Sequence, residues 1–233
     1  MRRLKHKIVL HSKQLFALAR KKSRKTSFIH DNVPYFSQWE SPELVEKIIT
    51  KKINAKDDPN WRSSGARDQK EYEAWSWSGC GMACLKMIVA HTTATVIPLV
   101  TLGKKCVEYG GYQLPLETSP GLFYKPFVQF VRHEYQLNAK AVSALTITEI
   151  KETLSNGGYA MVSVTPEIRF PAIAPKRRGG HLVLIFGYDD TKRVVYLHNP
   201  SGFATADSQQ RVVLSYSQFE KFFDHKGILI AAR

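Results

Sequence analysis

Apolar residues in the first half of the chain recur at helical spacing. From Cys80 to about His91 they surround most of a helix, which is typical of a helix that is buried on every side. The same periodicity predicts four more helices, and the last of these is expected to start at Thr148. Their expected ranges are 42–53, 98–109, 122–135 and 148–155.

After Gly158 the pattern changes to short apolar runs separated by turn residues. These runs predict strands, and one amphipathic stretch predicts a short helix at 217–223. The expected strands are 159–164, 181–188, 193–198, 210–214 and 227–231, with an earlier edge strand at 33–36 that is entered through Pro34. A helical first half and an antiparallel second half predict an α+β fold.

Two segments differ in composition from these elements. The first 25 residues hold ten of the 34 Lys and Arg residues and no Asp or Glu, which leaves +4 of the formal net charge of +14 for the rest of the chain. Residues 40–74 are polar and charged, and turn-forming residues are frequent towards their end. We therefore predict a basic N-terminal arm over residues 1–27 and one domain over residues 28–233, with an insertion at 40–74.

The basic arm allows two interpretations. Ile8, Leu15 and Leu18 would share one face of a helix, which could lie on an anionic membrane surface or bind an acidic partner. The composition favours the simpler interpretation, a solvated arm without fixed structure. Because the positive charge is concentrated in this arm, the sequence predicts no specific nucleic-acid partner.

Neither secretion nor a membrane span is indicated. The apolar stretch 8–10 is broken by polar residues at 11–13, and no small-residue cleavage site follows. The longest apolar runs, such as 181–188, fall far short of the about 20 residues that cross a bilayer. We expect a cytoplasmic protein, which is either free in solution or peripheral at the membrane through its arm.

The chain has three cysteines, Cys80, Cys84 and Cys106. They cannot all pair within one chain, and a domain of this size does not need disulfide bonds. The lack of a CxxC pair argues against a zinc site. We expect free thiols in a reducing compartment, and neither a metal ion nor another cofactor.

Cys80 differs from the other two cysteines because glycines flank it where a loop is expected to lead into the buried helix. A thiol at a helix N-terminus faces the positive end of the helix dipole and unpaired N–H groups, which favour the thiolate. The simpler interpretation is a small thiol that fills the core. That is the interpretation we assign to Cys84, one turn further along the helix.

The predicted hairpin of 181–188 and 193–198 supplies a partner for this thiol. If its turn, 189–192, is centred on Asp190, His181 and Asn199 face each other with Cβ atoms about 5 Å apart. The amide oxygen could then accept one ring N–H and leave the other ring nitrogen to act on a thiol. Singly, each residue has an ordinary explanation, a histidine at a strand start and an Asn-Pro-Ser-Gly turn.

Four segments, taken in this order, resemble the papain-fold peptidases similar to the double-glycine leader peptidases, and especially their stand-alone bacterial members. The segments are Val-Pro-Tyr-Phe-Ser-Gln at 33–38, Gly-Cys-Gly-Met at 79–82, Gly-His-Leu-Val at 180–183 with Gly-Tyr-Asp at 187–189, and Asn-Pro at 199–200. The resemblance covers about residues 28–233.

This resemblance implies a papain-like fold, in which the helical half carries the nucleophile Cys80 on a central buried helix and the second half is an antiparallel sheet. It also implies that Gln38 donates a side-chain N–H to the developing oxyanion, together with the backbone N–H of Cys80. The family often has Asp where this chain has Asn199, and the amide is compatible with the same orienting role.

One departure from the family lies before the nucleophile. Gln38 precedes Cys80 by 42 positions, whereas simpler relatives have the glutamine only a short distance before the cysteine. The insertion at 40–74 lies between them. If the insertion re-routes the chain, Gln69 is the alternative oxyanion donor.

Residues beside these groups are expected to bind the substrate. They are Trp77, Gly79, Gly180 and Arg178. The last two belong to a basic, proline-containing loop at 169–181, which could contact an acidic or extended substrate or simply connect two elements. Trp75 could line the cleft with Trp77 or pack in the core.

The sequence therefore predicts a cysteine peptidase that hydrolyses a bond of a peptide or protein substrate through Cys80, His181 and Asn199 and a thioester intermediate. Two alternatives stay open. The same residues serve an amidase, a transpeptidase or a deamidase, and a catalytically inert domain could act as a binding protein through its basic arm.

Overall fold

The computed structural model describes residues 25–119 and 121–232, so the predictions for the arm up to residue 24 lie outside it and the boundary of the arm stays a prediction. The α-helices are α1 (Val45–Ile49), α2 (Gln69–Ser78), α3 (Cys80–Thr93), α4 (Leu99–Glu108), α5 (Tyr124–Tyr135), α6 (Ile147–Ser155) and α7 (Tyr216–Phe222). The strands are β1 (Ser27–Ile29), β2 (Ala139–Val142), β3 (Tyr159–Val164), β4 (His181–Asp189), β5 (Val194–His198), β6 (Val212–Ser215) and β7 (Phe223–Ile230).

These strands form one antiparallel sheet in the order β2-β7-β3-β4-β5-β6. One edge of β4 pairs with β3 along residues 181–185 and with β1 along residues 187–189. The other edge pairs with β5. The strand that begins with His181 is therefore held on both sides by its neighbours.

Two apolar cores cover the two faces of the sheet. The side chains of β3 and β4 alternate between them, because successive residues of a strand point to opposite faces. Met161 and Leu184 belong to the core under α3, α4 and α5, whereas Val162 and Ile185 belong to the core under α6 and α7. Every residue of β3 is buried as a result. The predicted α+β fold is confirmed.

The predicted helices over α3, α4 and α5 are confirmed to within two residues of each boundary. The start of α6 was misplaced, because the capping residue is Thr146 and not Thr148. Thr146 Oγ1 accepts the N–H of Glu149, and the Glu149 carboxylate accepts the N–H of Thr146 in return. Such a reciprocal pair satisfies two N–H groups that the first helical turn leaves without partners.

The region before Cys80 differs more from its prediction. The expected helix at 42–53 is reduced to a 3-10 turn, Pro42–Leu44, and the short α1. The prediction of a loop immediately before Cys80 is also wrong, because α2 extends to Ser78. Asp68 caps α2 by accepting the N–H of Glu71 at 2.8 Å.

The predicted strand at 33–36 is also wrong. Side chains hold this segment in place of a strand ladder: His198 Nε2 donates to the Val33 carbonyl and the Tyr35 hydroxyl donates to the Asn199 carbonyl, both at 3.1 Å. β1 and β2 were not predicted, and β7 begins four residues earlier than expected. The other predicted strands agree to within two residues.

Part of the segment 40–74 packs, together with Trp39 and Phe203, into a small apolar core. At its centre the buried carboxylate of Asp58 accepts hydrogen bonds from the hydroxyls of Ser41 and Tyr72, both at 2.5 Å, and from the N–H of Asn60 at 2.9 Å. The surrounding apolar residues include Trp39, Val45, Ile48, Ala55, Tyr72 and Phe203. The segment predicted to be an insertion is therefore folded, and it ends within α2, which precedes α3.

No helix in the described part of the chain combines the length and the apolar character that crossing a membrane requires. Among the same residues, no group of three or more His, Cys, Asp or Glu side chains is arranged to hold a metal ion.

Candidate active site

Cys80 is the first residue of α3, and only Gly79 separates it from α2. A Cβ on Gly79 would lie 2.9 Å from both the Leu99 side chain and the Trp75 carbonyl, so a larger residue would clash with α4 and with the last turn of α2. Residues 81–90 of α3 are all buried. Cys80 thus begins a central buried helix, as predicted, although a helix rather than a loop precedes it.

His181 begins β4 immediately after two glycines. Gly179 and Gly180 have φ angles of +70° and +92°, a region that other residues rarely adopt. A Cβ on Gly179 would also lie 2.8 Å from the Asp224 carboxylate. This turn leads the chain from an exposed loop into the sheet and leaves the imidazole of His181 buried.

The register predicted for the hairpin is wrong, although the contact that it predicted is present. The turn comprises residues 190–193, and a β-bulge between Ile185 and Gly187 shifts the pairing again. The last pair before the site joins Leu184 to His198, so the continued register would place residue 201 opposite His181. Asn199 nevertheless reaches the imidazole, because its side chain extends from the turn that follows β5.

Hydrogen bonds around Asn199 determine which nitrogen of His181 carries a proton. The Ser201 N–H donates to Asn199 Oδ1 at 3.1 Å, and a backbone N–H can only donate, so this amide atom is the oxygen. His181 Nε2 lies 2.8 Å from the same oxygen and 3.1 Å from Ser201 Oγ, and it must therefore carry the N–H. In the neutral ring, Nδ1 is left with its lone pair.

Cys80 and His181 line the same cavity, which has a volume of about 300 Å³. No hydrogen bond joins the thiol to the imidazole in this structure. Catalytic hydrogen bonds are commonly long or poorly aligned before a substrate binds, so proton transfer between the thiol and the imidazole is compatible with this structure.

Burial shifts the pKa values of both groups towards their neutral forms. It raises the pKa of the Cys80 thiol, and the N–H groups of Leu182, Gly81 and Cys80 offset this only in part. Burial also lowers the pKa of His181 to about 3, with a smaller contribution in the same direction from the charge of Arg169. The N–H groups of Gly81 and Cys80 thus act in the direction expected of a helix N-terminus, but burial outweighs them.

Gln38 is buried against the last turns of α2 and does not line the cavity. Its Nε2 donates to the Ser76 carbonyl at 2.8 Å, and its backbone N–H donates to the Pro200 carbonyl at 2.9 Å. Two residues further on, the Glu40 carboxylate lies 3.4 Å from the ammonium group of the buried Lys86 on α3. The long insertion therefore does not separate Gln38 from the site.

Gln69, the alternative oxyanion donor, lies away from the junction of α2 and α3. It is the first residue of α2, and its exposed side chain donates to the Lys56 carbonyl at 3.0 Å. Nothing in this position supports a role for Gln69 in the site.

Two of the four predicted substrate-binding residues line the cavity. They are Trp77, whose side chain is 47% exposed, and Gly180. Gly79 instead allows the helices to pack closely, and the Arg178 guanidinium donates to the Phe223 carbonyl at 2.8 Å outside the cavity. Trp75 is buried with its ring against Tyr112 and does not line this cavity.

Sequence reasoning missed several polar residues of the site. Tyr124 and Ser163 line the cavity, and Ser201 and Arg169 lie behind His181. The Asn-Pro-Ser pattern could have indicated Ser201, because an asparagine side chain commonly accepts the N–H two residues further on. No local pattern indicated Tyr124 or Ser163, and Arg169 was expected only as the first residue of the basic loop at 169–181.

The remaining cysteines have ordinary core environments. Cys84 is buried, and its thiol contacts the Leu182 carbonyl at 3.7 Å. Cys106 is also buried, and burial raises its pKa to about 12. Both thiols are free, and the assignment of Cys84 to the core agrees with the structure.

Solved structures with a similar fold include two cysteine peptidases. One is described as a C39-like peptidase from Bacillus anthracis, with a TM-score of 0.53 and 15% identity over 89% of this chain and 98% of that one. Another is procathepsin L 3 from the larval midgut of Tenebrio molitor, with a TM-score of 0.53 and 12% identity over 91% of this chain and 72% of that one.

The peptidase domain of Streptococcus ComA, a bifunctional ABC transporter of a quorum-sensing pathway, has a TM-score of 0.46 and 13% identity over 67% of this chain and 93% of that domain. No curated protein sequence matches the chain significantly.

The fold is that of the papain-like cysteine peptidases, and the protein is a cysteine-type peptidase. The chain belongs to the Peptidase_C39 like family, which matches residues 30–227. The predicted fold, family and enzyme class are therefore confirmed.

Proposed function

We propose that this protein hydrolyses peptide bonds with Cys80 as nucleophile, His181 as base and Asn199 as the residue that orients the base. The observation that carries the proposal is the 2.8 Å hydrogen bond between His181 Nε2 and Asn199 Oδ1, made by a histidine that shares a cavity with the first residue of a buried helix. This bond leaves Nδ1 as the nitrogen that can accept the thiol proton.

The reaction starts from the neutral pair that burial favours. Cys80 Sγ attacks the carbonyl carbon of the peptide bond while its proton passes to His181 Nδ1. The imidazolium then gives this proton to the leaving nitrogen, the C–N bond breaks and a thioester remains. Water attacks the thioester with His181 as base, which releases the acid and restores the thiol.

Negative charge on the tetrahedral intermediate is stabilised by N–H groups in this proposal. The backbone N–H of Cys80 supplies one, and Gln38 supplies the other through the second N–H of its amide, since the first is bonded to Ser76. Gln38 does not line the cavity in the free protein, so the proposal includes a small movement of its amide when the substrate binds.

A peptide or protein substrate suits the surface around Cys80. The cavity shares Trp77, Ser78 and Ser119 with a second cavity of about 490 Å³, and it shares Tyr124 with another of about 400 Å³. A row of adjoining cavities fits an extended chain better than a small isolated amide.

Alkylation by an epoxysuccinyl peptide, followed by mass spectrometry of the digested protein, tests the nucleophile. We expect the label on Cys80 in the wild type and no label in Cys80→Ala. Cys84→Ala is the matched control, because it removes a thiol from the same helix that is buried and bonded to a carbonyl, and it should be labelled like the wild type.

A label on Cys84 or Cys106, with Cys80 unmodified in folded protein, would contradict the proposal. The acceptor of the acyl group is a separate question. Products that form only when an amine is added would identify a transpeptidase, and release of ammonia would identify an amidase or a deamidase.

A further inference from the structure

Arg169 takes no part in the chemical steps above, yet its guanidinium group lies close to them. It ends the short 3-10 turn Pro166–Arg169, between β3 and β4. Its Nε donates to the Ser201 carbonyl at 2.6 Å and its Nη2 donates to Ser201 Oγ at 2.7 Å. Two bonds from one planar group to one residue fix both the backbone and the side chain of that residue.

Ser201 in turn contacts His181. Its Oγ lies 3.1 Å from His181 Nε2, and its N–H donates to Asn199 Oδ1 at 3.1 Å. Both oxygen atoms that face Nε2 therefore belong to the turn that Arg169 holds. Without Arg169, the turn would lose its bonds on the side that orients the imidazole.

Arg169 also brings a positive charge close to the Cys80–His181 pair. Burial is the larger influence, raising the pKa of Cys80 and lowering the pKa of His181, but the guanidinium charge lowers the pKa of both groups. Burial lowers the pKa of Arg169 itself to about 10, so this residue stays protonated at neutral pH. A cation here favours the thiolate and opposes the imidazolium.

Other ionisable groups lie near Cys80, His181 or Arg169, on the elements that pack around them. They are Glu167, Arg177, Tyr112, Tyr124, Cys84 and Asp224. All of them are unchanged in the variants below, so a difference between these variants reports the side chain at position 169.

We propose that Arg169 is a positioning residue of the active site, which holds the turn of Asn199 and Ser201 against His181 and sets the charge around the Cys80–His181 pair. This inference rests on the proposed function, since it requires Cys80 and His181 to be the nucleophile and the base. Arg169 acts through Ser201 and through its charge, without touching the reacting atoms.

The test measures the second-order rate constant for alkylation of Cys80 by an epoxysuccinyl peptide as a function of pH. Arg169→Gln removes the charge and both bonds to Ser201. We expect the rate at neutral pH to fall roughly ten- to a hundredfold, as for the loss of charged hydrogen bonds. Both limbs of the pH profile should move to higher pH by about one unit, because a nearby cation lowers the pKa of each group.

Arg169→Lys separates the two roles, since lysine keeps the charge but cannot donate in the same forked geometry. Both limbs of the pH profile of this variant should coincide with those of the wild type, while its maximum rate of alkylation falls severalfold. Arg132→Gln is the control: this exposed arginine on α5 also donates to a carbonyl, that of Ala139, at 3.5 Å. It should leave both the rate and the limbs unchanged.

The outcomes distinguish this inference from the proposed function. If the wild type is not alkylated at Cys80, the proposed function fails and this inference fails with it. If the wild type is alkylated and both Arg169 variants match its rate and limbs, only the inference about Arg169 is overturned. A lower maximum in Arg169→Gln without any shift of the limbs would overturn the role of the charge.

Circular dichroism decides whether Arg169→Gln folds. If it does not, Arg169→Lys carries the test. A reduced maximum with limbs in the wild-type position then supports the positioning role, and an unchanged maximum overturns it.

Discussion

Two buried histidines on adjacent strands differ in how they use their ring nitrogens. His198, at the end of β5, uses both: Nε2 donates to the Val33 carbonyl and Nδ1 accepts the N–H of Arg211, each at 3.1 Å. His181, at the start of β4, uses Nε2 for Asn199 and Ser201, and its Nδ1 makes no hydrogen bond within the described residues.

The use of the ring nitrogens distinguishes the two histidines, whereas burial does not. Burial lowers the pKa of His181 to about 3 and the pKa of His198 to about 4, so both rings are neutral near pH 7. His198 has no nitrogen left for chemistry, whereas His181 retains one and lines a cavity with a thiol. A free ring nitrogen beside a thiol, rather than a shifted pKa, therefore distinguishes the histidine that we propose as the base.

The largest expected effect comes from replacing the two histidines separately. His181→Ala should lower the rate of peptide hydrolysis by about a thousandfold or more, because it removes the proposed general base. His198→Ala should leave the rate per folded molecule within about threefold of the wild type, but lower the free energy of unfolding by about 2–4 kcal/mol through a cavity and two unpaired backbone groups.

Active-site titration with the epoxysuccinyl peptide counts the competent molecules, and urea unfolding measures the stability. A loss of rate per active site in His198→Ala that matches the loss in His181→Ala would remove the distinction between the two histidines.

A smaller effect is expected for the two glutamines, Gln38 beside the proposed site and Gln69 away from it. Gln38→Ala should slow hydrolysis of a peptide substrate about a hundredfold, because it removes the proposed donor to the oxyanion. Alkylation of Cys80 by an epoxide forms no carbonyl oxyanion and should change much less. Gln69→Ala is the matched control, since its side chain is exposed and bonded to Lys56.

Equal losses of hydrolysis and alkylation in Gln38→Ala would show that this residue supports the packing of the helix junction instead of the oxyanion. A loss of hydrolysis in Gln69→Ala would instead support Gln69 as the oxyanion donor.

The third contrast concerns stability as a function of pH. Both histidines have a lower pKa in the folded protein than in the unfolded chain, where it is near 6.5. The unfolded state therefore binds more protons below that pH, and the stability that is present above pH 6.5 is lost as the pH falls towards 4. Each histidine should contribute roughly 3 kcal/mol to this loss.

Urea unfolding at several pH values checks this prediction. His198→Gln removes one of the two titrating groups, and its stability should therefore fall less steeply with acidification than that of the wild type. Parallel curves for the two proteins would show that His198 is not one of the groups responsible.

Sequence patterns predicted those parts of the fold in which local periodicity and burial agree. β3 was predicted without error and α3 with the right first residue, since both are apolar all round and end at glycines or polar residues. The strand at 33–36 was wrong because side chains from distant segments hold it. The hairpin register was wrong because turn length and a β-bulge leave little trace in the apolar pattern.

The sequence by itself determined the order of the chemical groups and the elements that carry them: a cysteine at the start of a buried helix, a histidine at the start of a strand and an asparagine after the next strand. Only the tertiary structure decided their surroundings. Burial, which sets the neutral forms of Cys80 and His181, and the contacts of Ser201 and Arg169 depend on segments far apart in the chain, and no local pattern records which segments meet.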